Sequence, residues 1–531
     1  MAKILFISDN FLSEGLGIMY LSSFVKSGGH NVDLVLLQDY KTEDDLTVAV
    51  EKYNPDLIGF SVMTPQANAF LPIAKKIKEQ TNKTIIWGGP HCMFLSEEVM
   101  GYGCVDIICI GDGEEALLEL MNRIDEGIDY TDIPSLFIRK ETSWVKNPLG
   151  TLSEDLDKYP FPDRSLYYEK YPLLANFPLK RLISSRGCPY KCSYCFEPTY
   201  ADMYKGKGKI FRRHSVSYVI SEIKQLIERY PVNHFHFSDD IFNLDHSWVR
   251  EFSNQYTKNI QPKLNWTCNV ELTSLDDSLV KSIAKGGCNG VVFGLETGVE
   301  ETRINVLNKK ITNKSYTEIT KSFHKYDVKF LMNIMFCLPG ESLDHAIESV
   351  SFASSLNGYG IRPCILKVYK GTELAKYALA NDLAEGVGDV TIKAKDSHRE
   401  FSVIENMQWA AAIFVRFPFF IRFAKPILRS KLARFGKYII FLNHWEDVKF
   451  FQIPLWQALK FFLASRKQFT EGIAKGQEEV FNEGVFNEGV FNSEAKDIER
   501  SANTIGIKVV QKGGCPANWH PVGTRDWDEN N

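Results

Sequence analysis

Short runs of β-branched and aromatic residues alternate twice along this chain with helical patterns, which restricts it to layered α/β architectures built on parallel strands. In the first series KILFIS (3–8), VDLVLL (32–37), DLIGFSV (56–62), TIIWGG (84–89) and VDIICIG (105–111) read as buried strands. GIMYLSSFVKSGG (17–29), AFLPIAKKIKEQ (69–80) and GEEALLELMNRI (113–124) read as helices between them. Residues 1–135 are therefore expected to form a doubly wound parallel sheet. Ligands of such sheets sit beyond the strand C-termini, here SDNFLSEGLG (8–17), SVMTPQ (61–66), WGGPH (87–91) and GDGEE (111–115).

Prolines 148, 160, 162 and 172 mark residues 136–175 as a linker. The alternation resumes over residues 176–384. LISS (182–185), HFHFSD (234–239), LNWTCNV (264–270), GVVFGLE (290–296), KFLMNIMFCL (329–338) and ILKVY (365–369) are its strands, with helices over 215–230, 275–287 and 344–356. Six strand–helix repeats predict a (β/α)6 partial barrel. Beyond residue 384 the pattern stops. Residues 385–470 read as a mostly helical, aromatic-rich cap and 471–531 as a tail, whose repeat VFNEGVFNEGVFN (480–492) is too short for a solenoid unit.

Composition narrows the partners. A net charge of −4 over 531 residues argues against nucleic acid. Eleven cysteines scattered through so long a chain suit a reducing cytoplasm rather than a disulfide framework. The start has no signal-peptide pattern, and no apolar run reaches membrane-span length. A cytoplasmic protein is expected.

RGCPYKCSYCFEP (186–198) carries Cys188, Cys192 and Cys195 at C-x3-C-x2-C spacing directly after a strand. A structural zinc site wants four protein ligands, and no second CxxC pair supplies the rest. A thioredoxin-like CxxC would leave Cys188 unexplained. Three thiolates on one tight loop suit a cubane iron–sulfur cluster whose fourth iron stays open. The motif resembles that of the radical S-adenosylmethionine (SAM) superfamily. The resemblance implies a [4Fe–4S] cluster on these three cysteines, SAM on the open iron and Tyr194 beside the adenine. It also implies SAM contacts at Asp239 and Asp240 in FSDDIFN (237–243) and at Glu296 in GVVFGLETG (290–298). LNKKIT (307–312), CLPGES (337–342) and YKGTEL (369–374) resemble later signatures of the superfamily. Glu271 stands where the family often carries an arginine.

The first 135 residues resemble the Rossmann-like, flavodoxin-type cobalamin-binding domain of B12-dependent radical-SAM enzymes, through EGLGIMYLSSFVKSGGHNVDLV (14–35), GGPH and GDGEEAL. That implies cobalamin contacts at Gly15, Leu16, Gly17, Ser61, Met63, Thr64, Gly88, Gly89, Gly111 and Glu114. Many cobalamin proteins place a histidine two residues after an aspartate as the lower cobalt ligand. Here Phe11 follows Asp9 at that offset, and His91 is the substitute to consider.

The resemblance implies a methyltransferase that moves a methyl group through cobalamin to an unactivated carbon. A 5′-deoxyadenosyl radical would first abstract a hydrogen from that carbon. Cyclisation, rearrangement or oxidation with the same cofactors is the alternative, and a non-catalytic cobalamin or cluster sensor a more distant one. A flavodoxin, ferredoxin or reductase would supply electrons. Residues 416–437 hold seven basic residues, no acids and many aromatics. They suit an anionic or lipid-like small-molecule substrate or contact with a membrane surface, the latter weakened by Pro418 and Pro426. The expected arrangement is a cap or lid over the barrel, with its basic face solvated.

Overall fold

The structure, a computed structural model, describes residues 1–9, 14–141, 143–385, 391–392, 398–430 and 447–460. The N-terminal sheet has seven strands: β1 (Lys3–Ser8), β2 (Asn31–Leu36), β3 (Leu57–Ser61), β4 (Thr84–Gly88), β5 (Ile107–Cys109), β6 (Leu136–Lys140) and β7 (Ser143–Lys146). Their order is β2-β1-β3-β4-β5-β6-β7. β1 to β5 are parallel in the flavodoxin order, with the switch point between β1 and β3. Helices cover both faces, so β1 and β3 are continuous apolar runs rather than alternating ones. The helix Glu43–Tyr53 shows how local chemistry sets its ends. Thr42 and Asp45 form a reciprocal capping box at 3.1 Å each, and Asn54 closes the helix in the left-handed conformation.

The second sheet is built from β8 (Leu179–Leu182), β11 (His234–Phe237), β12 (Asn265–Asn269), β13 (Cys288–Glu296), β14 (Lys329–Phe336) and β15 (Gly360–Ile365), all parallel and adjacent in sequence order. β9 (Ser185–Arg186) and β10 (Arg212–Arg213) form a separate antiparallel pair. Five of the helices that return from these strands begin in the same way. Ser215, Asp245, Asp276, Thr312 and Ser342 each accept a backbone N–H three residues on. This repeated βα unit, open between β8 and β15, is the expected six-stranded partial barrel.

Four expectations shift. The 136–175 stretch is not all linker, because β6 and β7 extend the first sheet as an antiparallel hairpin. The first barrel strand is LKRL (179–182) rather than LISS, whose last serine instead opens β9. The last is GIRPCI (360–365) rather than ILKVY; it tolerates Pro363 because it is an edge strand, bonded only to β14. The expected lid is placed differently. Helix Met407–Arg416 packs outside β15 and beside helix Leu343–Ser355, burying Trp409, Ala410 and Phe414 in the barrel's outer core.

Further on, Phe450, Phe451 and Ile453 join Leu179, Val292 and Leu331 in a core shared with the first domain. Phe451 stacks edge-on against His236 at 5.2 Å. No helix among the described residues is long and apolar enough to cross a membrane. The tail and its repeat lie outside the described residues.

Candidate functional site

β9 leads directly into the cysteine loop. Gly187 sits at φ +84°, and a Cβ there would lie 2.3 Å from the Ile210 carbonyl oxygen, so the turn admits only glycine. The loop is tied down along its length. Glu197 accepts the Cys188 N–H at 2.9 Å, the Cys195 N–H donates to the Cys192 carbonyl at 3.2 Å, and Ser193 binds the carbonyls of Leu307 and Val306. Asn308 donates to the Lys191 carbonyl at 2.6 Å. Burial pushes all three thiols up, Cys195 to about 12, so each is a neutral thiol that must give up its proton to bind a metal.

Among the described residues no three His, Cys, Asp or Glu side chains converge on one ion position. A cubane makes a different demand, since its three thiolates bind three separate irons. Three half-buried thiols on one anchored loop fit that group.

Beside the loop, the Tyr194 hydroxyl donates to Glu296 Oε1 at 2.8 Å. Lys309 lies between two carboxylates, 3.2 Å from Glu296 and 3.4 Å from Glu271, and donates to the Gly294 carbonyl at 2.7 Å. Burial alone would lower the Lys309 pKa. Tyr194, Tyr316, Glu271 and Glu296 outweigh it and hold the pKa well above the usual lysine range. Glu271, standing in an arginine's place, is thus the second partner of a buried ammonium. Sequence reasoning singled out Glu271 but not Lys309.

The two aspartates of FSDD differ. Asp239 is buried, and its carboxylate is spent on the Ser184 N–H at 3.1 Å, the Ser184 hydroxyl at 2.7 Å and the Ser185 hydroxyl. It fixes the turn between β8 and β9, which places the cysteine loop. Asp240 reaches solvent through the cavity it lines, and the desolvation of that recess, followed by the Asp239 charge, raises its pKa.

That cavity, about 440 Å³ in volume, opens to solvent between the strand ends of the two domains. Gly17, Ser61, Gly88, Gly89, Gly111 and Glu114 line one side. Arg186, Gly187, Phe196, Glu197 and Asp240 line the other. Gly15, Leu16, Met63 and Thr64 are not on the wall. Gly15 is pressed against Tyr167, whose hydroxyl would be 2.4 Å from an added Cβ, and Leu16 is in the core. Met63 and Thr64 turn into helix Thr64–Thr81. His91 is buried, is not among the lining residues, and its ring nitrogens have no partner among the described residues. Phe11 lies outside the described residues.

Ion pairs join the two walls. Arg186 reaches Glu114 at 2.6 Å and Asp112 at 3.3 Å, while Arg212 reaches Asp112 at 2.6 Å and Tyr200 donates to it at 3.1 Å. Sequence reasoning missed Asp112, Arg186, Arg212 and Tyr200. The only signal was that Asp112 lies in GDGEE and Arg186 opens RGC; Tyr200 and Arg212 lie in no motif. A second buried clamp has Arg164 between Glu14 and Glu222, at 3.3 and 3.2 Å.

A cavity between a flavodoxin-like sheet and a three-cysteine barrel is the arrangement expected of radical-SAM enzymes that also carry a corrin. The comparisons agree. Residues 2–121 match the B12 binding domain and residues 182–353 the Radical SAM superfamily. The chain thus carries a B12-binding domain and a radical-SAM domain, and its cofactors are a [4Fe–4S] cluster, SAM and cobalamin.

It is 29% identical over 376 residues to an uncharacterised methyltransferase of Pyrococcus horikoshii, covering 69% of this chain and 79% of that one. It is 25% identical to an anaerobic magnesium-protoporphyrin IX monomethyl ester cyclase of Rubrivivax gelatinosus, covering 60% of each. The solved cobalamin-dependent SAM radical enzyme OxsB, with aqua-cobalamin and SAM bound, superposes with a TM-score of 0.65 at 14% identity. That match covers 91% of this chain and 78% of OxsB.

Proposed function

We propose that this enzyme transfers a methyl group from SAM to an unactivated carbon of a small-molecule substrate. The observation that carries the reading is the shared cavity. One wall is made of strand-end glycines from the cobalamin domain and the other of residues flanking the cysteine loop. Two reactive centres that must reach one carbon gain most from being held face to face. When bound, the reduced cluster supplies one-electron cleavage of SAM, and cobalamin supplies a carrier for the methyl group.

The chain's own residues would act as follows. Cys188, Cys192 and Cys195 would hold the cluster on a loop fastened by Glu197, Ser193 and Asn308. Glu296, Glu271 and Lys309 together carry two negative charges and one positive. In a buried setting that surplus favours a cation such as the ammonium or sulfonium of SAM. Asp240 offers a further carboxylate on the cavity wall, whereas Asp239 positions the loop. Gly17, Gly88, Gly89 and Gly111 would let the backbone approach a corrin edge. A low-potential flavodoxin or ferredoxin would deliver the electrons in a reducing cytoplasm.

A second reading keeps the cofactors and performs a cyclisation without net methylation; the similarity to the Rubrivivax cyclase favours it. Methyl-labelled SAM separates the two. The methyltransferase reading expects label in the product together with 5′-deoxyadenosine. A modified product free of label would overturn it.

A further inference from the structure

The aromatic segment after helix Met407–Arg416 has no part in the cavity. Here the chain makes a 3-10 turn, Pro418–Phe423, and then a short helix, Ala424–Arg429. Phe417, Phe419, Phe420 and Phe423 are 56%, 59%, 42% and 44% exposed. Their rings touch in sequence, with centroids 6.4 Å apart for Phe417–Phe420, 5.9 Å for Phe419–Phe420 and 5.5 Å for Phe419–Phe423. Single exposed apolar residues are ordinary, but a contiguous aromatic patch marks an interaction surface. The patch is displayed from a packed base, since Phe414, Ala424 and Leu428 beside it are buried.

Its charge is one-sided. From residue 406 to residue 445 the sequence contains seven Lys and Arg residues and no Asp or Glu. Arg416, Arg422, Lys425 and Arg429 are all exposed. Lys425 pairs with Asp344 at 2.7 Å and Arg429 with Glu400 at 3.6 Å, each from outside the segment. Arg416 and Arg422 have no carboxylate partner among the described residues, and the Arg422 guanidinium lies 4.8 Å over the Phe419 ring.

We propose that this patch docks the enzyme on an anionic lipid bilayer, with the phenyl rings entering the interface and the arginines meeting headgroup phosphates. Exposed aromatic rings and two arginines without a carboxylate partner among the described residues supply the two halves of peripheral membrane binding. Pro418 and Pro426 break the segment into short turns, so contact is by side chains at the surface. A second copy of the chain is a poorer occupant, because a two-fold contact would set the like-charged rims of two identical patches against each other.

Sedimentation of the full-length holoenzyme with vesicles tests this. Vesicles of phosphatidylcholine with about a third phosphatidylglycerol should carry the protein down at low salt. Pure phosphatidylcholine vesicles should not, and added salt should release the protein. The F419S/F420S variant should bind roughly tenfold less, as should R416Q/R422Q, with iron content, cobalt content and SAM cleavage unchanged. Absence of binding to the anionic vesicles, or undiminished binding by F419S/F420S, would overturn the proposal. So would a protein that ignores vesicles but forms a dimer that F419S/F420S dissolves.

Discussion

Lys309 balances one buried and one part-buried carboxylate, Glu296 and Glu271, and its removal would leave both without this counter-charge. Breaking such a pair from one side costs far more than the pair itself contributes, on the order of 3–5 kcal/mol. Lys309→Met should therefore lower the unfolding free energy by about that amount, read by denaturant titration at neutral pH.

Glu341 tests a different balance. It closes the CLPGES turn by accepting the Leu338 N–H at 3.1 Å, is buried, and its Oε1 has no partner among the described residues. Burial pushes its pKa from 4.5 up to about 8. Between those values the folded chain keeps a proton that the unfolded chain has lost, so this residue makes stability fall as pH rises through that window. Glu341→Gln should remove that slope. Its stability relative to the parent should improve from pH 5 to pH 8, and a constant difference across the range would contradict the assignment.

At the scale of elements, the strand-end loops decide what can enter the cavity. Gly17 opens onto it, and an added Cβ would meet nothing within 4 Å. Gly17→Leu should therefore fold normally and keep its iron but lose cobalamin, which the visible spectrum of the purified protein would show. Gly111 differs, because its φ of +85° and the nearby Tyr204 hydroxyl exclude any side chain on packing grounds alone.

Periodicity made β1 to β5 and the four central barrel strands legible to within a few residues, because buried parallel strands are continuous apolar runs. The hairpin β6–β7 was not legible, since its residues are partly exposed and lie in a proline-flanked stretch. β15 was displaced because Pro363 argues against a strand unless its edge position is known. The cysteine loop was readable because all three cysteines lie within eight residues. The Asp112–Arg212 and Arg186–Glu114 pairs span 100 and 72 residues, and nothing local in the sequence joins them.

Across the whole molecule, those same pairs tie the β9–β10 strand pair, which flanks the cysteine loop, to the loop that follows β5. The Arg164 clamp ties the linker to both domains a second time. The two halves are therefore registered on each other through buried charge, with the cavity between them, as expected if each brings its own cofactor to a common carbon. Such clamps contribute position more than stability, because burying the ions offsets much of their attraction.

The central claim is that one chain holds a cluster and a corrin across that cavity. Metal analysis of the anaerobically reconstituted protein tests it most directly, with Cys188→Ala/Cys192→Ala/Cys195→Ala as the comparison. The account predicts about four irons and about one cobalt per parent chain, and cobalt without iron in the triple variant. Iron without cobalt in the parent, or iron retained by the variant, would contradict it.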